Sequence, residues 1–184
     1  MIPLKFHVML QGYRIRPFRP EDLEEVERIN RVFLPENYPS YFFIENYRRF
    51  PNSFLVAESD DGKVVGYVMC RVESYYVRDQ TLLLGHVLSI AVSKKHRRKG
   101  IGKALMEGAE RGLRGYGADA VYLEVRVSNE PAIKLYDDLG YKKLGIIPAY
   151  YADGEDAYLM YKMLDDEVEE ALVEEVLGKR VVRI

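Results

Sequence analysis

Tryptophan is absent from the 184 residues, cysteine occurs once, histidine three times, and Gln11 and Gln80 are the only glutamines. The lone Cys70 cannot form an intramolecular disulfide, and a cysteine-based zinc site lacks its ligands. A reducing cytoplasm is the expected setting. Charge of one sign is missing too: 27 basic against 29 acidic residues give a formal net charge of −2, which disfavours nucleic acid or an acidic membrane as partner. The apolar stretch between Met1 and Gly12 is short and broken by polar residues, so neither a signal peptide nor a membrane span is expected. Scarcity of glutamine and asparagine beside abundant Glu, Lys and Arg matches the bias of proteins from hot environments.

What is present is a core. Hydrophobic residues make up 48% and charged residues 30%, which suits one folded domain over 1–184 and excludes a disordered chain. Fifteen tyrosines stand out. The pattern predicts a strand at 13–18 and an amphipathic helix carrying Leu23, Val26, Ile29 and Phe33, stopped by Pro35. A second helix follows from Ser40, its expected cap, to about Phe50. Strands at 53–58 and 64–72 flank an Asp-Gly turn, and the nearly continuous apolar run 82–92 reads as a central strand covered on both faces. A helix striped with Ile101, Leu105, Ala109 and Leu113, a strand at 120–127, and a helix from Pro131 to Gly140 come next. Strands at 141–147 and 157–164 and an acidic amphipathic helix at 165–177, closed by Gly178, end the chain. This order implies an α/β (α+β) fold with a mixed, mostly antiparallel central sheet of about seven strands and helices on both faces.

One segment carries chemistry. Arg97-Arg98-Lys99-Gly100-Ile101-Gly102-Lys103 lies between the buried strand and a helix, so it presents unpaired helix amides, glycines that admit a bulky anion, and positive charge, as a diphosphate cradle requires. It lacks the first glycine and the Ser/Thr of a nucleotide-hydrolysing loop, and Leu105 stands where a dinucleotide fold needs its third glycine. By charge alone the run 94–99 reads equally as a solvated turn; its position favours the cradle.

Arg97-x-x-Gly100-x-Gly102 after Leu88-Ser89-Ile90-Ala91-Val92, with Asn129 and Tyr136, resembles the acyl-CoA signature of the GNAT superfamily of N-acetyltransferases. The segments Leu34-Pro35-Glu36-Asn37-Tyr38, Gly85-His86, Arg126-x-Ser128-Asn129 and 150–158 are similar to the protein N-terminal acetyltransferases typified by the NatA catalytic subunit and its archaeal and RimI-like relatives. The resemblance covers 13–164 and leaves the tail 165–184 outside. It implies acetyl-CoA as co-substrate, two splayed central strands, pantetheine along Leu88, Ile90, Ala91 and Val92, and the diphosphate on Arg97, Arg98, Lys99, Gly100, Ile101, Gly102 and Lys103, with Asn129 and Tyr136 completing the site. The implied acceptors are the α-amino groups of proteins or nascent chains, and an auxiliary subunit or a homo-oligomer is compatible with the branch.

A thioester is already activated, so such an enzyme supplies a neutral amine, an oxyanion site and a proton for the thiolate. Tyr136, seven residues after Asn129 and so on one helix face with it, can reach the sulfur as general acid; otherwise it packs. Strand alternation places His86, Leu88 and Ile90 on one face and Tyr122, Glu124 and Arg126 on another, so His86 and Glu124 can pair across strands as the base. A strand histidine is otherwise a satisfied core residue, and two ligands do not make a metal site, so none is expected. Glu36, from the NatA-like segment, is a third candidate for the base. Leu34, Glu36, Tyr38, Arg126, Tyr150 and Tyr151 are the expected peptide-binding residues, and the analogy points to Ser, Ala, Thr or Gly, with Met in addition, as first residue. His7 and His96 have no expected role. The acidic residues Glu167, Glu169, Glu170, Glu174 and Glu175 are expected to face solvent. Two alternatives stand beside this reading: acetylation of lysine or a small amine, and a non-catalytic module binding acyl-CoA or nucleic acid.

Overall fold

The computed structural model of the protein describes residues 8–184; the expectation for His7 lies outside them. Two compact units emerge, one of residues up to Arg71 with Leu88–Gly115, the other of Val72–Val87 with Tyr116–Ile184.

In the first unit β1 (Val8–Leu10), β2 (Tyr13–Pro17), β3 (Phe54–Ser59) and the first half of β4 (Val64–Val77) pair in chain order, each antiparallel to the next. Helices α1 (Leu23–Phe33) and α2 (Ser40–Arg49) follow β2, and α3 (Ile101–Gly115) follows β5 (Gln80–Val92). Alternation along the strands gives this part of the sheet two apolar faces. Phe54, Val56, Tyr67 and Met69 on one face join Val26, Ile29 and Phe43 of α1 and α2 in a core cluster. On the other, Leu55, Ala57, Val68 and Cys70 are buried, and α3 packs against β2 and β3. Buried Arg16 is held by Asp22 at 2.7 Å and by Glu58 at 2.7 Å, so its charge is paired on two sides.

In the second unit β5 runs parallel to β6 (Ala120–Arg126), which pairs antiparallel with β8 (Ala157–Met163); β7 (Lys142–Ile147) pairs with β8 and with β9 (Val182–Arg183). Asn129 caps α4 (Glu130–Asp138), its side chain accepting from the Ala132 amide at 3.3 Å. Leu172, Val173, Val176 and Leu177 of α5 (Glu170–Gly178) pack with Leu84, Tyr122, Leu159 and Tyr161. No described helix is long and apolar enough to cross a membrane.

The pairings make a mixed, mostly antiparallel sheet with five α-helices, as the element order implied, but with nine described strands. Strands β1 and β9 are two or three residues long and too short to show a period. The fourth strand runs to Val77 rather than Val72, because Arg78 and Asp79, with φ of 45° and 63°, form the two-residue turn. A turn with two left-handed residues normally signals itself through Asn or Gly, and Arg-Asp does not. Pro39, not Ser40, is the N-cap of α2. The last helix begins at Glu170 rather than Asp165, since the Asp165 carboxylate turns back to the Glu167 amide at 2.9 Å; it includes Gly178, and Lys179 is its C-cap.

Candidate active site

The segment expected to bind an anion takes the form its glycines suggest. Arg98 and Gly100 adopt φ of 60° and 80°, the left-handed turn that aims the chain into α3, and the Ala104 amide bonds the Gly100 carbonyl at 3.0 Å. The first amides of α3 are left without intrahelical partners, as at any helix start. Its cations are not equivalent. Arg97 Nε donates to the Val92 carbonyl at 2.9 Å and its guanidinium lies over Phe33, so Arg97 braces the turn. Lys99 Nζ donates to Tyr13 Oη at 3.2 Å, and His96, expected to be idle, shares that hydroxyl through Nδ1 at 2.8 Å. Lys103 is exposed and lies 4.0 Å from Glu107, while Arg98 is exposed at the turn itself.

Leu34, Glu36 and Tyr38 lie in the loop between α1 and α2, organised by one buried amide. Asn30 Nδ2 donates to the Glu36 carbonyl at 3.1 Å and to Tyr67 Oη at 3.0 Å, and Asn30 Oδ1 accepts from the Tyr38 amide at 3.3 Å. Tyr67 Oη in turn lies 2.5 Å from Ser89 Oγ. Burial pushes the Tyr67 phenol up to about 12, despite hydrogen bonds that favour the phenolate, so it remains a donor. Tyr38 donates its hydroxyl to the Leu88 carbonyl at 3.1 Å and stacks on Phe42. Tyr38 is therefore anchored at both ends, less a free clamp than a strut for the loop.

In the second unit the structure brings His86 and Glu124 together, with Nε2 and Oε2 2.7 Å apart. Two further residues complete the cluster. Glu73 Oε2 lies 3.2 Å from His86 Nδ1, and Tyr122 Oη donates a short bond to Glu73 Oε1 while sitting 3.1 Å from the same Nδ1. The Tyr122 ring stacks on the imidazole at 4.2 Å. His86 is only 8% exposed, so its charge and hydrogen bonds are decided by these neighbours rather than by water. Burial disfavours the imidazolium, but the bonds to Glu124 and Glu73 outweigh it and hold the His86 pKa above its ordinary value. Burial would raise Glu124, yet His86 and Arg180 together bring it below the usual carboxylate range. Burial, first, and the bond to Glu73, second, drive Tyr122 far up, leaving it neutral. Such a cluster can accept, store and pass on a proton.

Glu73 and Arg180 were not singled out by the sequence. The strand carrying Glu73 was cut short, and Arg180 follows a helix whose acidic face was expected to be solvated and whose Val168, Leu172, Val173 and Val176 were expected to pack; the packing is seen. The acidic face is in part engaged: Glu170 and Glu174 accept from Tyr161 Oη at 2.8 and 2.6 Å, Lys142 reaches Glu170 at 2.8 Å, and Arg78 pairs with Glu175 at 2.7 Å. Glu167 and Glu169 are exposed.

Arg126, Tyr150 and Tyr151 meet at the loop between β7 and β8. Arg126 Nη1 pairs with Asp153 at 2.8 Å and Glu155 at 3.1 Å, and its guanidinium lies 4.0 Å over the Tyr151 ring. Arg126 thus supports the loop, and Tyr150, 41% exposed and edge-on to Tyr151, is the side chain presented outward. Tyr136 is buried on α4, its ring 5.8 Å from that of Tyr141. Among the described residues no cluster of three metal-ligating side chains is found.

Comparison with known proteins gives this geometry its context. Residues 23–141 match the family described as "Acetyltransferase (GNAT) family". The N-alpha-acetyltransferase of Sulfurisphaera tokodaii is 52% identical over 153 residues, spanning 80% of this chain and 91% of that protein. The N-terminal acetyltransferase A complex catalytic subunit NAA10 of Arabidopsis thaliana is 38% identical over 152 residues, 82% of this chain and 77% of the other. Among solved structures, a chain of the NatB acetyltransferase complex bound to CoA and MES superposes with a TM-score of 0.70 at 27% identity, covering 82% of this chain and 98% of that one. With a family match across most of its length and these relatives, the chain belongs to the GNAT acetyltransferase family, among its N-alpha-acetyltransferases.

Proposed function

We propose that the protein transfers the acetyl group of acetyl-CoA to the α-amino group of protein N-termini, and that 1–184 acts as a single acetyltransferase domain. The observation that carries the reading is a continuity along one strand: β5 holds the buried proton cluster at His86 and runs directly into the anion-binding turn and α3. Base and diphosphate cradle are then parts of one segment, as an enzyme acting on a CoA thioester needs.

The residues fit that co-substrate. The left-handed turn at Arg98 and Gly100 opens the α3 amides to an anion, and Arg98 and Lys103 add charge. The β5–β6 ladder extends only from Leu84↔Ala120 to His86↔Tyr122, whereas β6 stays paired with β8 as far as Arg126↔Ala157. A ladder that stops there is consistent with splayed strands and with β5 backbone at Leu88, Ile90, Ala91 and Val92 serving the pantetheine arm. Asn129 caps α4 and places Tyr136 two turns on, where its phenol is assigned to the departing thiolate.

A terminal amine has an ordinary pKa of about 7.7–8.0, so only modest help is needed to make it nucleophilic. In this reading the His86–Glu124 pair takes its proton, directly or through water. The amine then attacks the thioester carbonyl, the C–N bond forms, and the tetrahedral oxyanion is met by a β5 amide. The C–S bond breaks and the thiolate leaves as the thiol with the proton from Tyr136. Leu34, Glu36 and Tyr38 on one loop and Tyr150 and Tyr151 on another are assigned to the peptide, with Arg126 as support. A small polar pocket at Glu36 suits Ser, Ala, Thr or Gly, with Met in addition. The relatives include the catalytic subunit of an N-terminal acetyltransferase complex, so an auxiliary subunit is a partner to test, beside a homo-oligomer, and the lone Cys70 suits a cytoplasmic protein.

Incubation with acetyl-CoA and a panel of free N-terminal peptides, N-blocked lysine peptides and polyamines, followed by thiol release, tests the reading. Turnover confined to the first group is expected. Preference for lysine peptides or polyamines, or no release with any acceptor, overturns it.

A further inference from the structure

The residue after the C-cap of α5 reaches into the proton cluster. Arg180 Nη2 lies 2.8 Å from Glu124 Oε1, the oxygen opposite the one facing His86, and its guanidinium sits 5.8 Å from the centre of the Tyr122 ring. The contact is a close ion pair without the alignment of a hydrogen bond, as Glu124 Oε1 is buried and finds no such bond. Glu124 is 6% exposed and Arg180 36% exposed. Arg180 is fixed on both sides. Its amide bonds the Leu177 carbonyl at 3.1 Å, and two residues on, Val182 and Arg183 pair with Ile146 and Gly145 of β7. The chain end is thus built into the sheet in a way that delivers one cation to one buried carboxylate.

We infer that Arg180 is a positioning residue for the base: its charge keeps Glu124 ionised with Oε2 aimed at His86, and keeps the imidazole from holding its proton too tightly. The inference rests on the reading of His86 and Glu124 as the proton acceptor and extends it to the tail. The reason is charge balance. His86 lies between two carboxylates, Glu73 from β4 and Glu124 from β6. Two anions against one buried imidazole would lock it as imidazolium, and a base already protonated at working pH accepts nothing. The other groups facing the cluster are Tyr75 from β4 and Tyr122 from β6, with Tyr150 of the β7–β8 loop acting on Arg180 itself. Arg180 offsets one of these two anions, Glu124.

The test uses Arg180→Met, which keeps the aliphatic packing and removes the charge, and Arg180→Lys, which returns a charge. The pH dependence of kcat/KM and the titration of the His86 imidazole by NMR are measured in the wild type and both variants. In the Met variant both midpoints are expected to move up by about one pH unit, a value at the low end for an adjacent charge because Arg180 is partly exposed. The Lys variant should regain at least half of that shift. Unmoved midpoints in the Met variant, or equal shifts in Met and Lys variants, overturn the inference and leave Arg180 a mere fastener of the chain end. His86→Asn separates this failure from that of the underlying reading: if the acidic limb survives in His86→Asn, His86 is not the base, whatever Arg180 does to its titration.

Discussion

His86 Nε2 and Glu124 Oε2 stand 2.7 Å apart although the two residues are not directly opposite: His86 faces Tyr122 in the ladder, and Glu124 lies one same-face position further along β6. The diagonal neighbour is within reach of a long side chain, while the directly opposed Tyr122 stacks on the ring. One parallel register thus supplies the imidazole with both a flat support and an anion.

This pair predicts a pH signature. The His86 pKa is raised, so its contribution to stability is complete below the ordinary value of 6.5 and is lost as pH rises through the folded value. Glu124 is lowered, so its contribution is complete above 4.5 and is lost as pH falls through its folded value. The cluster therefore stabilises the fold most between those ordinary values. Thermal midpoints of the wild type and Glu124→Gln across pH should differ most in that window; a constant difference from acid to alkaline pH would contradict the assignment. Catalysis runs the other way, since the base is useful only when neutral, and kcat/KM should rise with pH. His86→Asn should lower kcat by about 10²–10⁴-fold, the usual worth of a general base.

Gly112 offers a stability prediction in which two principles oppose. Alanine is the better helix former by about 0.8–1 kcal/mol. A Cβ at Gly112, however, would lie 2.0 Å from the Asn52 carbonyl oxygen and 2.5 Å from its carbon, both backbone atoms. The clash should win, and Gly112→Ala should destabilise by about 1–3 kcal/mol or more. A denaturant midpoint equal to or above wild type would mean that α3 does not approach this segment so closely.

Arg126 should act on peptide rather than on acetyl-CoA. It binds the loop of Tyr150 and Tyr151 through Asp153, Glu155 and the Tyr151 ring. Arg126→Leu frees that loop, so the peptide KM is expected to rise about tenfold, equivalent to about 1.4 kcal/mol, with the acetyl-CoA KM unchanged. Equal changes in both KM values would place Arg126 elsewhere in the reaction.

Asn30 should control the loop of Glu36. Replacing it by Leu strips partners from the Glu36 carbonyl, the Tyr38 amide and the buried Tyr67 hydroxyl. A cost of about 1–3 kcal/mol follows from removing hydrogen bonds from such buried groups, and selectivity among first residues should flatten. Glu36→Val, which leaves the loop backbone in place, should instead shift preference toward Met-Leu termini. Ratios of kcat/KM across a peptide panel read both, and ratios unchanged in Glu36→Val would remove Glu36 from the first-residue pocket.

How much of this was legible beforehand differs by element. The periods of α1 and α3, the Asp-Gly hairpin and the apolar run of β5 are local patterns, and they fall where expected because a few neighbouring residues decide them. The left-handed turn into α3 was legible for the same reason: glycines, cations and the strand-to-helix junction are contiguous in the chain. His86 and Glu124 were legible through alternation alone, which places a side chain on a face but not beside a particular partner. Glu73 was missed because the turn at Arg78–Asp79 carries none of the usual residues, so the strand appeared to end before reaching it. The separate roles of Arg97, which braces, and Tyr38, which struts, depend on the Val92 and Leu88 carbonyls, and no local pattern announces such bonds.

The amino-acid sequence by itself determined the family, the order of elements and the glycine-rich basic junction ahead of α3, since these depend on propensity, period and adjacency along the chain. Only the tertiary structure decided which charged groups surround His86. Glu73, His86, Glu124 and Arg180 come from three strands and the chain end, separated by up to 107 residues between Glu73 and Arg180, and their proton affinities arise from distances of a few ångströms around a buried imidazole. Coulombic energy depends on that spacing and on burial, neither of which is written in the order of residues.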